Sequence, residues 1–280
     1  MNLAPPVEAY ISRVAAKLPV AHRLLVELGQ LLRDPYIESD DIVKLLRQDP
    51  SLVAQLIRMA NSAAFAPAEP VGSLERALAC IGFAEVHRLV GVVAAQQFGE
   101  YHMRFYPVNG KKLRQNALFV ALTMEELAKP ANENARSCYT VGLLRTVGMM
   151  ALEVMAGPDA RVPAFSQSGH TALDTWERAN WGTTNCEVAE KILIHWRLPH
   201  ETVAAIRHHY DPGIRHNPII HLLKLAAGAA EDRFFGVPGE STYFTPDENN
   251  FTKAGVEPLE FQRACERAQV KFERLNLSVL

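Results

Sequence analysis

Six histidines, His195, His200, His208, His209, His216 and His221, crowd into the stretch HWRLPHETVAAIRHHYDPGIRHNPIIH, a density that raises the question of a metal site. A helical zinc pair sets two imidazoles at i and i+4 on one face, with a third ligand nearby. His208 and His209 are adjacent, so a helix would send them in different directions. A structural or surface role fits this cluster better than metal binding. A second unusual group lies in TVGLLRTVGMMAL, from Thr140 to Leu152, where Arg145 and Thr146 interrupt an apolar run. The arginine either lays its aliphatic stem on the core and reaches solvent, or stays buried beside a counter-charge. Other chemistry lacks a signature: there is no GxSxG elbow and no GxxxxGK[ST] or GxGxxG phosphate loop.

The elements that would carry these residues read as helices throughout. Leu24, Leu25, Leu28, Leu31 and Leu32 recur at one-face spacing in VAHRLLVELGQLL, which ends at Arg33-Asp34-Pro35. A helix capped by Ser39, Asp40 or Asp41 runs to Leu46, and Asp49-Pro50 opens the next as N-cap and first residue. Ser73 caps LERALACI, Gly82 closes it in a left-handed conformation, and a further helix continues to Gly99. Helical spacing returns over 113–127, 140–155, 185–194, 199–209 and 218–230. FGVPGESTYFTPDENNFTKAG, from Phe235 to Gly255, reads as a surface connection, and a last helix starts near Pro258. Its residues Phe261, Cys265, Ala268, Phe272 and Leu275 form a narrow apolar seam, too short for a coiled coil, that favours docking on its own body over a dimer or partner contact. The fold class is all-α.

With 48% hydrophobic residues, the 280-residue chain can bury a substantial core. Lys and Arg number 29 against 31 Asp and Glu, a net charge of -2 that gives no general reason to bind nucleic acid. Cys80, Cys138, Cys186 and Cys265 are scattered without a CxxC pair, which suits free thiols in a reducing cytoplasm. The N-terminus lacks a signal-peptide pattern, and apolar runs such as LVGVVAA are too short to cross a bilayer, so no membrane partner is expected.

LLRQDPSLVAQLIRMANSAAF and VGSLERALACIGFAEVHRLV resemble the N-terminal half of the HDOD family, an all-helical bacterial branch of the HD-domain phosphohydrolase superfamily. The matching residues are Asp49, Pro50, Leu52, Asn61, Ser62, Ser73, Leu74, Ala77, Leu78, Ile81 and Gly82. WERANWGTTNCEVAEKILIHWRLPHETVAAIRHHYDP continues the resemblance through Glu177, Gly182, the Trp196-x-Leu198-Pro199 run, Ile206, His208 and His209. It extends over about Leu18 to Ala230. The resemblance implies an HDOD domain over 1–234, made of an N-terminal helical lobe (18–105) and an HD-like lobe (106–234), followed by a loop and C-terminal helix (235–280).

Active relatives hold one or two divalent metals with a histidine, a His-Asp pair, further histidines and a final aspartate. In this chain those positions fall on Asn116, on Arg145 and Thr146, on Asn185 and on Ala227. Gly142, Leu143, Leu144 and Gly148 keep the frame of the His-Asp motif. Arginine has no lone pair to offer, and its charge repels a divalent ion, so the resemblance implies no cofactor and no catalysis. It implies instead a cytoplasmic signalling protein that binds a protein partner. One alternative is a sensor of an anionic nucleotide or phosphate in the degenerate pocket of Arg145, Asn185, His208, His209 and Glu177; a buried Arg145 pairs either with a ligand phosphate or with an internal carboxylate such as Glu177, and the internal partner is favoured. A weaker alternative is residual hydrolysis through the surviving histidines.

Overall fold

Short oxygen-bearing side chains start half of the described helices. The Asp49 carboxylate accepts from the backbone N–H of Ser51 and Leu52 at 2.9 and 3.1 Å, with Pro50 as first helical residue. Ser73, Asn109, Asn134 and Asn217 cap later helices in the same way, and Thr184 with Glu187 forms a capping box. The computed structural model describes residues 11, 14–15, 18, 20–62, 65–98, 102–156, 160–166, 171–213, 217–244 and 247–277. Among them there is no strand.

In chain order the helices are α1 (Val20–Leu31), α2 (Ser39–Leu46), α3 (Pro50–Ala60), α4 (Leu74–Ile81), α5 (Phe83–Phe98), α6 (Gly110–Ala128) and α7 (Ala135–Leu144). They continue as α8 (Val147–Ala156), α9 (Leu173–Trp181), α10 (Asn185–His195), α11 (His200–His208), α12 (Pro218–Asp232), α13 (Glu248–Ala254) and α14 (Pro258–Leu277). A 3₁₀ turn, Ser241–Tyr243, precedes α13. Helix α1 buries Leu24, Leu25 and Leu28 completely, as its spacing predicts. One hydrophobic core runs through both halves of the chain, with α6 and α7 packed together at its centre. Asn61, one of the residues carrying the resemblance, clamps the connection between α3 and α4: its Oδ1 accepts from Val71 N–H, and its Nδ2 donates to the Ile57 and Val71 carbonyls, all at 2.8 Å.

Several expectations need correction. Ser39 is the first residue of α2 rather than its cap, and Asp40 and Asp41 sit in the first turn, where they face the positive end of the helix dipole. Gly82 has φ +81 but ψ 148, outside the left-handed helical well. The stretch over 140–155 is two helices, broken at Arg145 and Thr146, with the Thr146 carbonyl accepting from Met149 N–H and beginning α8. Ala135–Ala156 is long and apolar enough by composition to cross a membrane, but 89% of its apolar window is buried in the fold.

Two glycines explain how closely these helices approach. A Cβ on Gly142 would lie 2.7 Å from the Ala121 Cα, and one on Gly148 would lie 1.9 Å from the Asn185 carbonyl oxygen. Both contacts are with backbone, so neither neighbour can turn aside. They bring α7 onto α6 and the start of α10 onto α8.

The seam of α14 docks on its own body. Cys265, Ala268 and Phe272 are buried, and the Phe272 ring meets Phe119 of α6 and Phe235 at centroid distances of 6.0 and 4.9 Å. Arg267 and Lys271 pair with Glu126, and Lys271 also with Glu125, along its edge.

Candidate functional site

Arg145 closes α7 and turns inward. Its side chain is completely buried. Burial works against its charge, but the Glu240 carboxylate outweighs burial and raises its pKa. Nη1 and Nη2 donate to the two oxygens of Glu240, each at 2.8 Å, and Nη2 also donates to Asn116 Oδ1 at 2.6 Å. The bidentate geometry satisfies both carboxylate oxygens at once. Asn116, on α6, uses its Nδ2 to hold the Phe235 carbonyl at 2.9 Å.

Glu177, expected beside Arg145, serves a different network. It accepts from the Tyr106 hydroxyl at 2.6 Å and from the Asn185 backbone N–H at 2.8 Å, and the Asn185 amide donates to both its oxygens. Burial lifts its carboxyl to about 7, against the pull of these donors. The reason for the different pairing is positional: Glu177 on α9 faces the first residue of α10, while the chain after α12 delivers Glu240 to the guanidinium. Tyr210 joins the two networks, donating to Glu240 Oε1 at 2.5 Å and lying 3.5 Å from the Asn185 amide.

The segment after Phe235 is therefore no surface connection. Val237, Glu240 and Phe244 are buried. Tyr243 stacks on Tyr210 at 4.3 Å, and its hydroxyl donates to Asp174 at 2.7 Å. Phe244 stacks against the His209 ring at 5.8 Å and lies beneath the Arg145 guanidinium at 5.6 Å. Its aromatic residues, set among glycine and proline, were the available sign that this stretch packs inward.

The histidine cluster disperses. His195 and His200 are exposed, His208 is half-buried and outside these hydrogen bonds, and His216 lies outside the described residues. His221 Nδ1 meets Asn250 Oδ1 at 3.1 Å, on the side of α12 that packs against α13. His209 alone reaches the site. Its Nδ1 lies 2.7 Å from the Ile206 carbonyl, and burial, with Arg145 nearby, depresses its pKa to about 3.

Of the positions aligned with metal ligands, Arg145, Asn116 and Asn185 converge through Glu240 and Tyr210. Thr146 is buried with its hydroxyl unpartnered, and Ala227 is a buried methyl on α12. This donor set does not fit a divalent cation: a guanidinium occupies the centre, and the nearest carboxylate spends both oxygens on it. Sequence reasoning missed Glu240, Tyr210, Tyr106 and Phe244.

The HDOD domain family matches residues 18–212. The chain belongs to the HDOD family. Among solved structures, this HDOD chain is similar to a candidate phosphohydrolase of Shewanella amazonensis, with TM-score 0.66 and 20% identity, covering 97% of this chain and 96% of that one. It is also similar to an HDOD domain protein of unknown function from Geobacter sulfurreducens, with TM-score 0.61 and 20% identity, covering 94% and 89%. A candidate signal transduction protein of Marinobacter aquaeolei gives TM-score 0.64 and 21% identity over 93% of this chain and 58% of that one. An uncharacterised protein of Treponema pallidum is 23% identical over 201 residues, or 69% of this chain. The chain spans 38% of that relative's length. At these identities the structural likeness establishes the fold alone.

Proposed function

We propose that this HDOD protein is a non-catalytic, cytoplasmic bacterial signalling protein that acts by binding another protein. The observation that supports this reading is Arg145, which with Thr146 falls where the resemblance implies the His-Asp pair and which is buried in an ion pair with Glu240. Without those ligands no bound water can be acidified, and His209, held neutral at the edge of the site, has no metal to serve. The test is hydrolysis of bis(p-nitrophenyl) phosphate and cyclic dinucleotides with manganese, iron or nickel supplied. No turnover above buffer is expected; metal-dependent turnover proportional to protein would overturn the reading. Reciprocal tagging in the source bacterium is expected to recover the same protein partner in both directions, and failure to recover one counts against it.

The alternative, a nucleotide or phosphate sensor in the degenerate pocket, requires a ligand anion to displace Glu240 from both nitrogens of Arg145. Thermal-shift measurements with nucleotides and cyclic dinucleotides separate the two readings. Stabilisation that vanishes in Arg145→Ala supports the sensor; no shift supports the filled pocket.

A further inference from the structure

A second concave site lies away from Arg145, where helices of the N-terminal half meet those of the second half. It is a cleft of about 210 Å³ between the end of α1 and the first turn of α7, with the turn before α11 at its edge. Two arginines cross it in opposite directions. Arg33, just past α1, donates to Ser137 Oγ at 2.8 Å, and Arg136, on α7, donates to the Leu32 carbonyl at 2.6 Å. Each bond uses one of the five N–H donors of a guanidinium, which leaves donors on both. Among the described residues neither arginine pairs with a carboxylate, and no acidic side chain lines the cleft.

The floor of the cleft is a helix N-terminus, with Asn134 as cap and Arg136, Ser137 and Thr140 following, so the positive end of the ten-residue α7 faces it. His87, from α5, supplies an independent pointer. Its side chain lines the cleft at 2% exposure, yet Nε2 has no hydrogen-bond partner. Such a buried, unpartnered nitrogen is costly unless something satisfies it. The atom faces Gly29, another lining residue: a Cβ there would sit 3.1 Å from Nε2. Glycine at this position leaves room for the His87 ring, which a larger residue would displace.

We infer that this cleft binds a small molecule bearing an oxyanion, a phosphate or carboxylate group, held by Arg33, Arg136 and the first turn of α7. His87 takes one of its oxygens or hydroxyls. The volume suits a phosphate or a short dicarboxylate and falls below that of pockets built for larger ligands. Burial, reinforced by Arg136, holds the His87 pKa down to about 4, so at neutral pH its ring donates or accepts without adding charge. Because Arg33, Arg136 and the Gln30 bond to the Arg197 carbonyl already join α1 to α7 and to the turn before α11, a ligand here adds to that junction.

The experiment is isothermal titration of the full chain with inorganic phosphate and with succinate, followed by ¹⁵N NMR of the histidine rings. Saturable one-to-one binding of at least one probe is expected, with a shift of the His87 signal. Arg33→Gln, at an exposed position that leaves folding intact, should weaken binding about tenfold. Gly29→Ala and Arg136→Gln should weaken it as well, and Arg76→Gln, on α4, should not. A preference for phosphate identifies a phosphorylated metabolite and a preference for succinate a carboxylate. No saturable binding of either, or an affinity unchanged in Arg33→Gln, overturns the proposal.

Discussion

Arg145 and Glu240 meet end-on, Nη1 to Oε1 and Nη2 to Oε2, each at 2.8 Å across a sequence separation of 95 residues. Both side chains are buried, so each charge depends on the other. Removing one partner strands the second in a low-dielectric interior, and Glu240→Ala is expected to cost about 3–5 kcal/mol. Arg145→Met combined with Glu240→Leu removes both charges and should recover most of that loss. Urea unfolding of the single and double variants decides it: a double variant no more stable than the single would refute the pairing.

Stability should depend on pH through two histidines and a carboxyl that act in opposite directions. His209 has a folded pKa of about 3 against an ordinary 6.5, so its contribution is lost as pH falls through that window. His87, at about 4, acts in the same direction. Glu177 does the reverse: raised from 4.5 to about 7, it contributes below 4.5 and its contribution is lost as pH rises to 7. Glu177→Gln removes the opposing slope, so acidification should destabilise that variant more steeply than the wild type between those limits. The difference approaches about 1.4 kcal/mol per pH unit and is read from denaturant midpoints across the range.

Gly148→Ala drives a methyl group onto the Asn185 carbonyl. Backbone cannot rotate away, and a loss of at least about 1–3 kcal/mol is expected, with a lowered Tm. Gly72→Ala, whose added Cβ meets nothing within 4 Å, is the control and should change stability by less than about 0.5 kcal/mol.

Phe272→Ala empties the contact among α14, Phe119 and Phe235. Its expected cost is about 3–5 kcal/mol, measured by chemical unfolding. Val270, half exposed on the same helix, should tolerate serine.

Local chemistry explains what was legible in the sequence. Asp49-Pro50, Ser73 and the leucine spacing of α1 act within a few residues, and each marks its helix correctly. The expectation that Arg145 and Thr146 stand in for a His-Asp pair rests on an equally local frame, Gly142, Leu143, Leu144 and Gly148. What stayed hidden depends on distant pairing. Loop composition around Glu240 signals exposure, and nothing nearby reveals a guanidinium waiting in the core. Glu177 was a reasonable internal carboxylate to expect beside Arg145, but the start of α10 claims its oxygens. Helix α9 shows no apolar stripe to read: LDTWERANW is mostly polar, and its buried face rests on Leu173, Trp176 and the carboxylate Glu177.

The stretch matched by the family ends at residue 212, twenty-eight positions before the carboxylate that neutralises Arg145. An excised fragment with those limits would contain every family motif and still enclose a bare cation. The folding unit of this protein is thus larger than the stretch the family model matches, and the segment that carries Glu240 is part of the core rather than an appendage.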